Sequence, residues 1–373
     1  MPPQATLFLF VKGTAQSDVE KLVAEAQLAA SLDTLQRVRA VREIGAIVVA
    51  TANAAFAARA AALGASIELD PPREEFHWGT RLAALVEKYA PAVALYVGGG
   101  SGALMSTDDW RAIAQRAAQT QNSVITNNYY SCDFAAWSPG DALCQIEPPT
   151  LDNDLAYRLG ERAGWQVIAL PKNAATQLDI DTPTDLLTIS FHTAVGENLR
   201  AFLEQAHLDT TRAKTLQLFL GNRAATVLIA GRVSASMALF LERETPCQWR
   251  IYSEERGMRA SGRQARGEVR SLLGYYWEWR GARGFFDTLA RLADAAILDS
   301  RVLFAHQRLR PTALDRFSSD LLRAEDIGDP FIREFTLAAR DAALPVFLGG
   351  HSLVSGGMYA LVEAARAMRR KGD

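Results

Sequence analysis

Over the first half of this chain, short unbroken apolar runs alternate with longer helix-patterned stretches, and this alternation constrains the fold more than any other feature. Leu7 to Val11, Ala46 to Ala50, Ser66 to Leu69, Ala92 to Val97 and Ser123 to Thr126 read as strands. Between them, Asp18 to Arg39, Asn53 to Leu63, Thr80 to Tyr89 and Asp108 to Ala118 carry helical spacing. The last of these opens on acidic residues, where the helix dipole favours them. A strand with one wet face alternates apolar and polar residues, whereas an unbroken apolar strand is buried on both faces. The series therefore predicts an α/β fold, a mostly parallel Rossmann-like sheet with helices on both sides.

The second half repeats the theme with more helix. Phe191 to Leu208, Thr211 to Leu220 and Phe285 to Leu298 read as helices. Val227 to Ala230, Trp249 to Tyr252 and Leu344 to Leu348 read as strands, the last leading into Gly349-Gly350-His351. A length of 373 residues suffices for two cores. Two domains are expected, 1–195 and 196–373, the second a helix-rich α/β domain, with no Gly/Ser linker between them.

Half the residues are apolar and 22% are charged, an ordinary globular mix. A formal net charge of −2 gives no global reason to expect nucleic acid or a membrane as partner. No apolar run is long enough to span a bilayer, and the first residues lack the basic start of a signal peptide. Cys132, Cys144 and Cys247 fit neither a disulfide framework nor a zinc site, so a reducing cytoplasm is the expected location.

Four segments carry chemistry in the first half. Asp179-Ile180-Asp181-Thr182-Pro183-Thr184-Asp185-Leu186 places three carboxylates around a Thr-Pro step. Asp181 there is either a helix cap ahead of Pro183 or a ligand for a divalent cation. Gly98-Gly99-Gly100-Ser101-Gly102 follows a strand, either as a tight turn or as a backbone cradle for an anion. Trp78-Gly79-Thr80-Arg81 opens a helix, where Arg81 is either a solvated side chain or a phosphate partner. Lys12-Gly13-Thr14 follows the first strand. Together these segments resemble the nucleotidyltransferase-like (GT-A) superfamily, in particular its molybdenum-cofactor guanylyltransferase and 2-phospho-L-lactate guanylyltransferase branches.

The resemblance implies roles. Asp179 and Asp181 are expected to hold Mg²⁺ on the phosphates of a nucleotide. Gly13, Gly79, Gly99, Gly100 and Ser101 are expected to bind the nucleotide, with Lys12 and Arg81 assisting catalysis. Matching Leu104-Met105-Ser106 to the superfamily pattern puts Ser101 where a metal-binding Asp stands in those proteins. Asn127, Asn128 and Asp133 follow a strand in the region that faces the acceptor; they are either substrate ligands or an Asn-rich turn.

In the second half, Arg256, Arg259, Arg263, Arg266 and Arg270 recur at intervals of three and four. On a helix they form one cationic face. Gly257, Gly262 and Gly267 instead permit a loop around an anion. Arg259 and Arg263 are the expected substrate contacts, and a salt-bridge face between domains or subunits is the alternative. His351, in the Gly-rich turn, is either an acid–base group or a structural histidine.

The expected function is transfer of a nucleoside monophosphate from an NTP to a small phosphorylated or carboxylated acceptor. The alternatives are a nucleotide-binding or scaffold protein of the same fold without turnover, and a glycosyltransferase using a sugar nucleotide. The second half is then catalytic, regulatory or a dimerisation module, the last giving a homodimer.

Overall fold

The computed structural model describes residues 3–11, 15–70 and 76–372. It divides into two compact units. The first comprises Met1–Thr14, Ala24–Asp179 and Ala194–Phe202; the second comprises Ala15–Val23, Ile180–Thr193 and Leu203–Asp373. Along the sequence the units alternate, Ala15–Val23 and Ile180–Thr193 both belonging to the second. No described helix is long and apolar enough to cross a membrane.

The first unit holds a seven-stranded sheet of β1 (Ala5–Val11), β2 (Ile44–Thr51), β3 (Ser66–Leu69), β4 (Val93–Gly98), β5 (Ser123–Thr126), β6 (Phe134–Ser138) and β7 (Gln166–Ala169). Its order is β3-β2-β1-β4-β6-β5-β7. All neighbours run parallel except β6, which is antiparallel to both β4 and β5. The α/β expectation holds, and the unbroken apolar runs explain why. In β1, Ala5, Leu7, Leu9 and Val11 enter one core cluster, while Phe8 and Phe10 enter another. In β4, Val93, Leu95 and Val97 join the first cluster, and Ala94 and Tyr96 the second. Successive side chains point to opposite faces, and helices bury both.

The second unit holds a parallel four-stranded sheet of β8 (Thr226–Gly231), β9 (Gln248–Ser253), β10 (Ala295–Asp299) and β11 (Val346–Gly349), in the order β11-β10-β8-β9. Two expectations need correction here, and one pair of alternatives is decided. The helix expected over Phe285 to Leu298 ends at Leu292, and Ala295–Asp299 is instead a central strand. Asp294 makes the switch: its N–H donates to the Thr226 carbonyl at 2.8 Å, and its carboxylate accepts from the Thr226 N–H at 2.8 Å. The helix expected from Phe191 begins only at Glu197 and ends at Gln205. The arginine-bearing stretch is not a helix but a chain of turns, because Gly257, Gly262 and Gly267 take φ of +73°, +71° and +68°.

Asp33 fixes the start of the helix Glu197–Gln205. Its buried carboxylate accepts from the N–H groups of Asn198 (2.9 Å) and Leu199 (3.0 Å) and from the Asn198 side chain (2.9 Å). A Cβ at residue 196 would overlap that carboxylate, so glycine is required there. Asp33→Ala leaves these donors unpaired and is expected to lower stability by about 1–3 kcal/mol. An unchanged urea midpoint would refute this capping role.

Candidate functional site

The carboxyl ends of β4 and β5 carry a polar cluster of the first unit. After β4 the chain turns sharply, with the Ser101 N–H donating to the Gly98 carbonyl at 3.0 Å. A Cβ on Gly99 would sit 3.2 Å from Ser31 Oγ and 3.3 Å from the Phe10 carbonyl, so the turn packs tightly against the end of β1. Ser31 Oγ donates to the Gly99 carbonyl at 3.1 Å and holds the turn in place. Gly100 is buried in the same turn.

Ser101 Oγ donates to Asp179 Oδ1 at 3.1 Å, and the two residues form an isolated antiparallel bridge. Ser101 is buried, while Asp179 is half-buried. The two residues expected at a metal position therefore meet across 78 residues of sequence.

The loop after β5 is tied at both ends. Asn127 Nδ2 donates to Asp133 Oδ2 at 2.6 Å, and the Asp133 N–H donates to Asn127 Oδ1 at 3.0 Å. The Asp133 carbonyl accepts from the Gly98 N–H at 3.4 Å, joining this loop to the glycine turn. Asn128 Oδ1 accepts from the Tyr130 N–H at 3.2 Å, an Asx turn inside the loop. Sequence reasoning passed over Asp152 and Tyr96. The Tyr96 hydroxyl donates to Asp152 Oδ2 at 3.3 Å. Burial, then the charges of Asp152, Cys132 and Asp179, push the Tyr96 hydroxyl well above its ordinary range and keep it a neutral donor. Asp152 opens the Asp152–Asp154 turn, and that acidic cluster was its only signal.

Other expected residues lie elsewhere. Arg81 Nε donates to Asp70 Oδ1 at 2.7 Å, and its Nη2 lies 3.6 Å from Glu68 Oε2, so two carboxylates at the β3 edge engage it. Gly79 packs on the Pro149 backbone, where a Cβ would overlap the Pro149 carbonyl. Lys12 and Gly13 lie outside the described residues.

Asp181, Arg259, Arg263 and His351 belong to the second unit. Asp181 is exposed, and the helix cap falls one residue later, on Thr182, ahead of the helix Pro183–Ile189. Arg263 Nη2 donates to Glu255 Oε1 at 2.9 Å, whereas Arg259 is exposed. His351 is exposed in the turn after β11, and its charge is felt at Asp299.

Neither a protein-family model nor a curated protein sequence matches the chain. Among solved structures, it is similar to a CMP:2-keto-3-deoxy-manno-octonic acid synthetase complexed with CTP, at 14% identity and a TM-score of 0.37, over 54% of this chain and 99% of that one. It is similar to a cytidylyltransferase from Leptospira borgpetersenii at 12% identity and a TM-score of 0.39, over 55% of this chain and 95% of that one. A 4-diphosphocytidyl-2C-methyl-D-erythritol synthase from Anaerococcus prevotii is similar at 12% identity and a TM-score of 0.35, over 50% of this chain and 95% of that one. The likeness falls on the N-terminal half, and the C-terminal half is unmatched.

The Asp-rich segment makes a pH-dependent prediction. Asp185 Oδ2 accepts from the N–H groups of Asp181 (3.0 Å) and Thr182 (2.7 Å) and from Thr182 Oγ1 (3.0 Å). Burial, with the Asp181 charge adding, nonetheless pushes the Asp185 carboxyl up to about 7. An unfolded Asp loses its proton near pH ~3.9, so between that pH and about 7 the folded state holds the extra proton. The stability contribution of Asp185 is therefore full in acid and declines as pH rises through this window. Asp185→Asn is expected to flatten the dependence; urea titrations at pH values across the window read it, and parallel profiles for the two proteins would count against it.

Proposed function

We propose that the first unit binds a nucleotide with Mg²⁺ and transfers its nucleoside monophosphate to a small phosphorylated or carboxylated acceptor. One observation carries the reading: the hydroxyl of Ser101, on the glycine turn after β4, meets the carboxylate of Asp179 at 3.1 Å. These are the positions to which the motif resemblance gives the metal.

The donor set fits a metal delivered on phosphates. Mg²⁺ ordinarily keeps several waters and takes one or two carboxylates with phosphate oxygens. Asp179 supplies one carboxylate, and the Ser101 hydroxyl fixes its orientation. Among the described residues, no group of three or more His, Cys, Asp or Glu side chains forms a closed cage. Bound there, Mg²⁺ would neutralise phosphate charge as pyrophosphate leaves. The glycine turn brings backbone close to the ligand, and Asn127 with Asp133 holds the acceptor side of the site rigid. An ionised acceptor oxygen forms the new bond to the α-phosphorus while the bond to the bridging oxygen breaks. A phosphate or carboxylate acceptor brings no proton to remove, so positioning and charge neutralisation supply the catalysis.

A second reading, binding without turnover, is favoured by Ser101 itself, since a hydroxyl replaces a carboxylate at the metal position. Binding of a panel of NTPs and sugar nucleotides, with and without Mg²⁺, is measured beside pyrophosphate release. One NTP is expected to bind in a Mg²⁺-dependent way, and Asp179→Ala is expected to weaken it by about tenfold or more, the loss of one charged ligand. Binding with no pyrophosphate released under any acceptor would select the second reading. Transfer from a sugar nucleotide would select a glycosyltransferase, and no nucleotide binding at all would sink the proposal.

A further inference from the structure

The second unit contains a crevice of 720 Å³, a size typical of small-ligand sites. Seven of its fifteen lining residues are arginines and none is acidic. Its place in the fold is specific. The sheet order β11-β10-β8-β9 reverses direction between β8 and β10. In an open parallel sheet, ligands bind outside the carboxyl ends of the strands at such a reversal, because the loops there diverge to opposite faces and leave a gap. Arg232 is the first residue after β8, and Arg301 is the second after β10. Both line the crevice.

These two guanidinium groups are built in. Arg232 grips Asp299 through two bonds, Nε to Oδ2 at 2.6 Å and Nη2 to Oδ1 at 3.0 Å. Arg301 grips Asp320 likewise, at 2.9 and 2.6 Å. Both carboxylate side chains are fully buried. Burial alone would push the Asp299 carboxyl up, but Arg232 outweighs it and holds the group below the usual carboxylate range. Each arginine keeps N–H donors that its pair does not use.

The remaining charge is poorly compensated. Arg266 has an exposed partner, Glu268, at 2.8 Å. Among the described residues, Arg259, Arg308, Arg310 and Arg316 have no carboxylate within ion-pair distance. Burial, then the Arg301 guanidinium, holds the Arg316 guanidinium below the ordinary arginine range, and Arg259 adds to this; Asp320 and Asp181 pull the other way. The turns between Met258 and Gly267 form one wall, and a Cβ at residue 267 would reach the Arg308 stem. Like charges are thus held together by buried anchors and a shaped loop, an arrangement that an anion would relieve. The planar fork of arginine matches phosphoryl oxygens in pairs.

We propose that this crevice binds a small molecule carrying two or more phosphoryl groups. All of its lining residues belong to the second unit, and with no carboxylate among them the lining calls for no metal. Its limited volume and loop wall suit a compact polyphosphate better than a nucleic-acid strand, which needs an extended basic track.

Isothermal titration of the full chain with inorganic tripolyphosphate in EDTA tests the proposal. Saturable binding at one site is expected, weakening as salt rises. Arg259→Gln/Arg308→Gln, two exposed positions outside the buried pairs, is expected to weaken it by about tenfold or more while the thermal midpoint is kept. Asp179→Ala is expected to leave it unchanged, which separates this site from the nucleotide site of the first unit. Absence of saturable binding would overturn the proposal, as would equal affinity in the double arginine variant. A single-stranded oligonucleotide that displaces tripolyphosphate at lower concentration would overturn it in favour of a nucleic-acid surface.

Discussion

Burial of both faces of β1 and β4 is the constraint on which the first unit rests. Parallel neighbours deliver their following loops to the same edge, so once Leu7, Phe8, Leu95 and Tyr96 are packed on their two sides, the turn after β4 has only one place to go. The glycine turn therefore needs no stabilising core of its own. It inherits its position from the strands, and Ser31 adjusts it through one hydrogen bond. The second unit uses the same rule with a smaller sheet, and Arg232 and Arg301 inherit theirs from β8 and β10.

Much of this was legible in the sequence, for physical reasons. The helix Asp18–Arg39 and the strands Ser66–Leu69 and Ser123–Thr126 fall where the pattern puts them, because periodicity and flanking polar residues agree there. β6 was not legible. Phe134-Ala135-Ala136-Trp137 has no flanking helix to announce it, and its antiparallel direction is decided by neighbours far along the chain. Ala295–Leu298 was misread because a short apolar run after a helix looks like its continuation. The arginine spacing suggested a helix, but glycines recurring every five residues were the stronger signal.

The sites divide in the same way. Glycine turns and acidic segments can be seen as motifs, but the pairing of Ser101 with Asp179 is a tertiary event. So is the convergence of Arg232 and Arg301 with arginines from three other segments. Arg263, singled out with Arg259, is taken up by Glu255, a difference that spacing cannot encode.

The antiparallel insertion of β6 has one more consequence. It makes the seven residues Asn127–Asp133 a closed loop whose two ends bond to each other, with its tip, Tyr130-Ser131, exposed. Changes at that tip are insulated from the sheet edge, whereas changes at Asn127 or Asp133 reach the glycine turn directly. Substitution at the tip thus leaves the framework in place, so the loop separates an exposed rim from a hydrogen-bonded base.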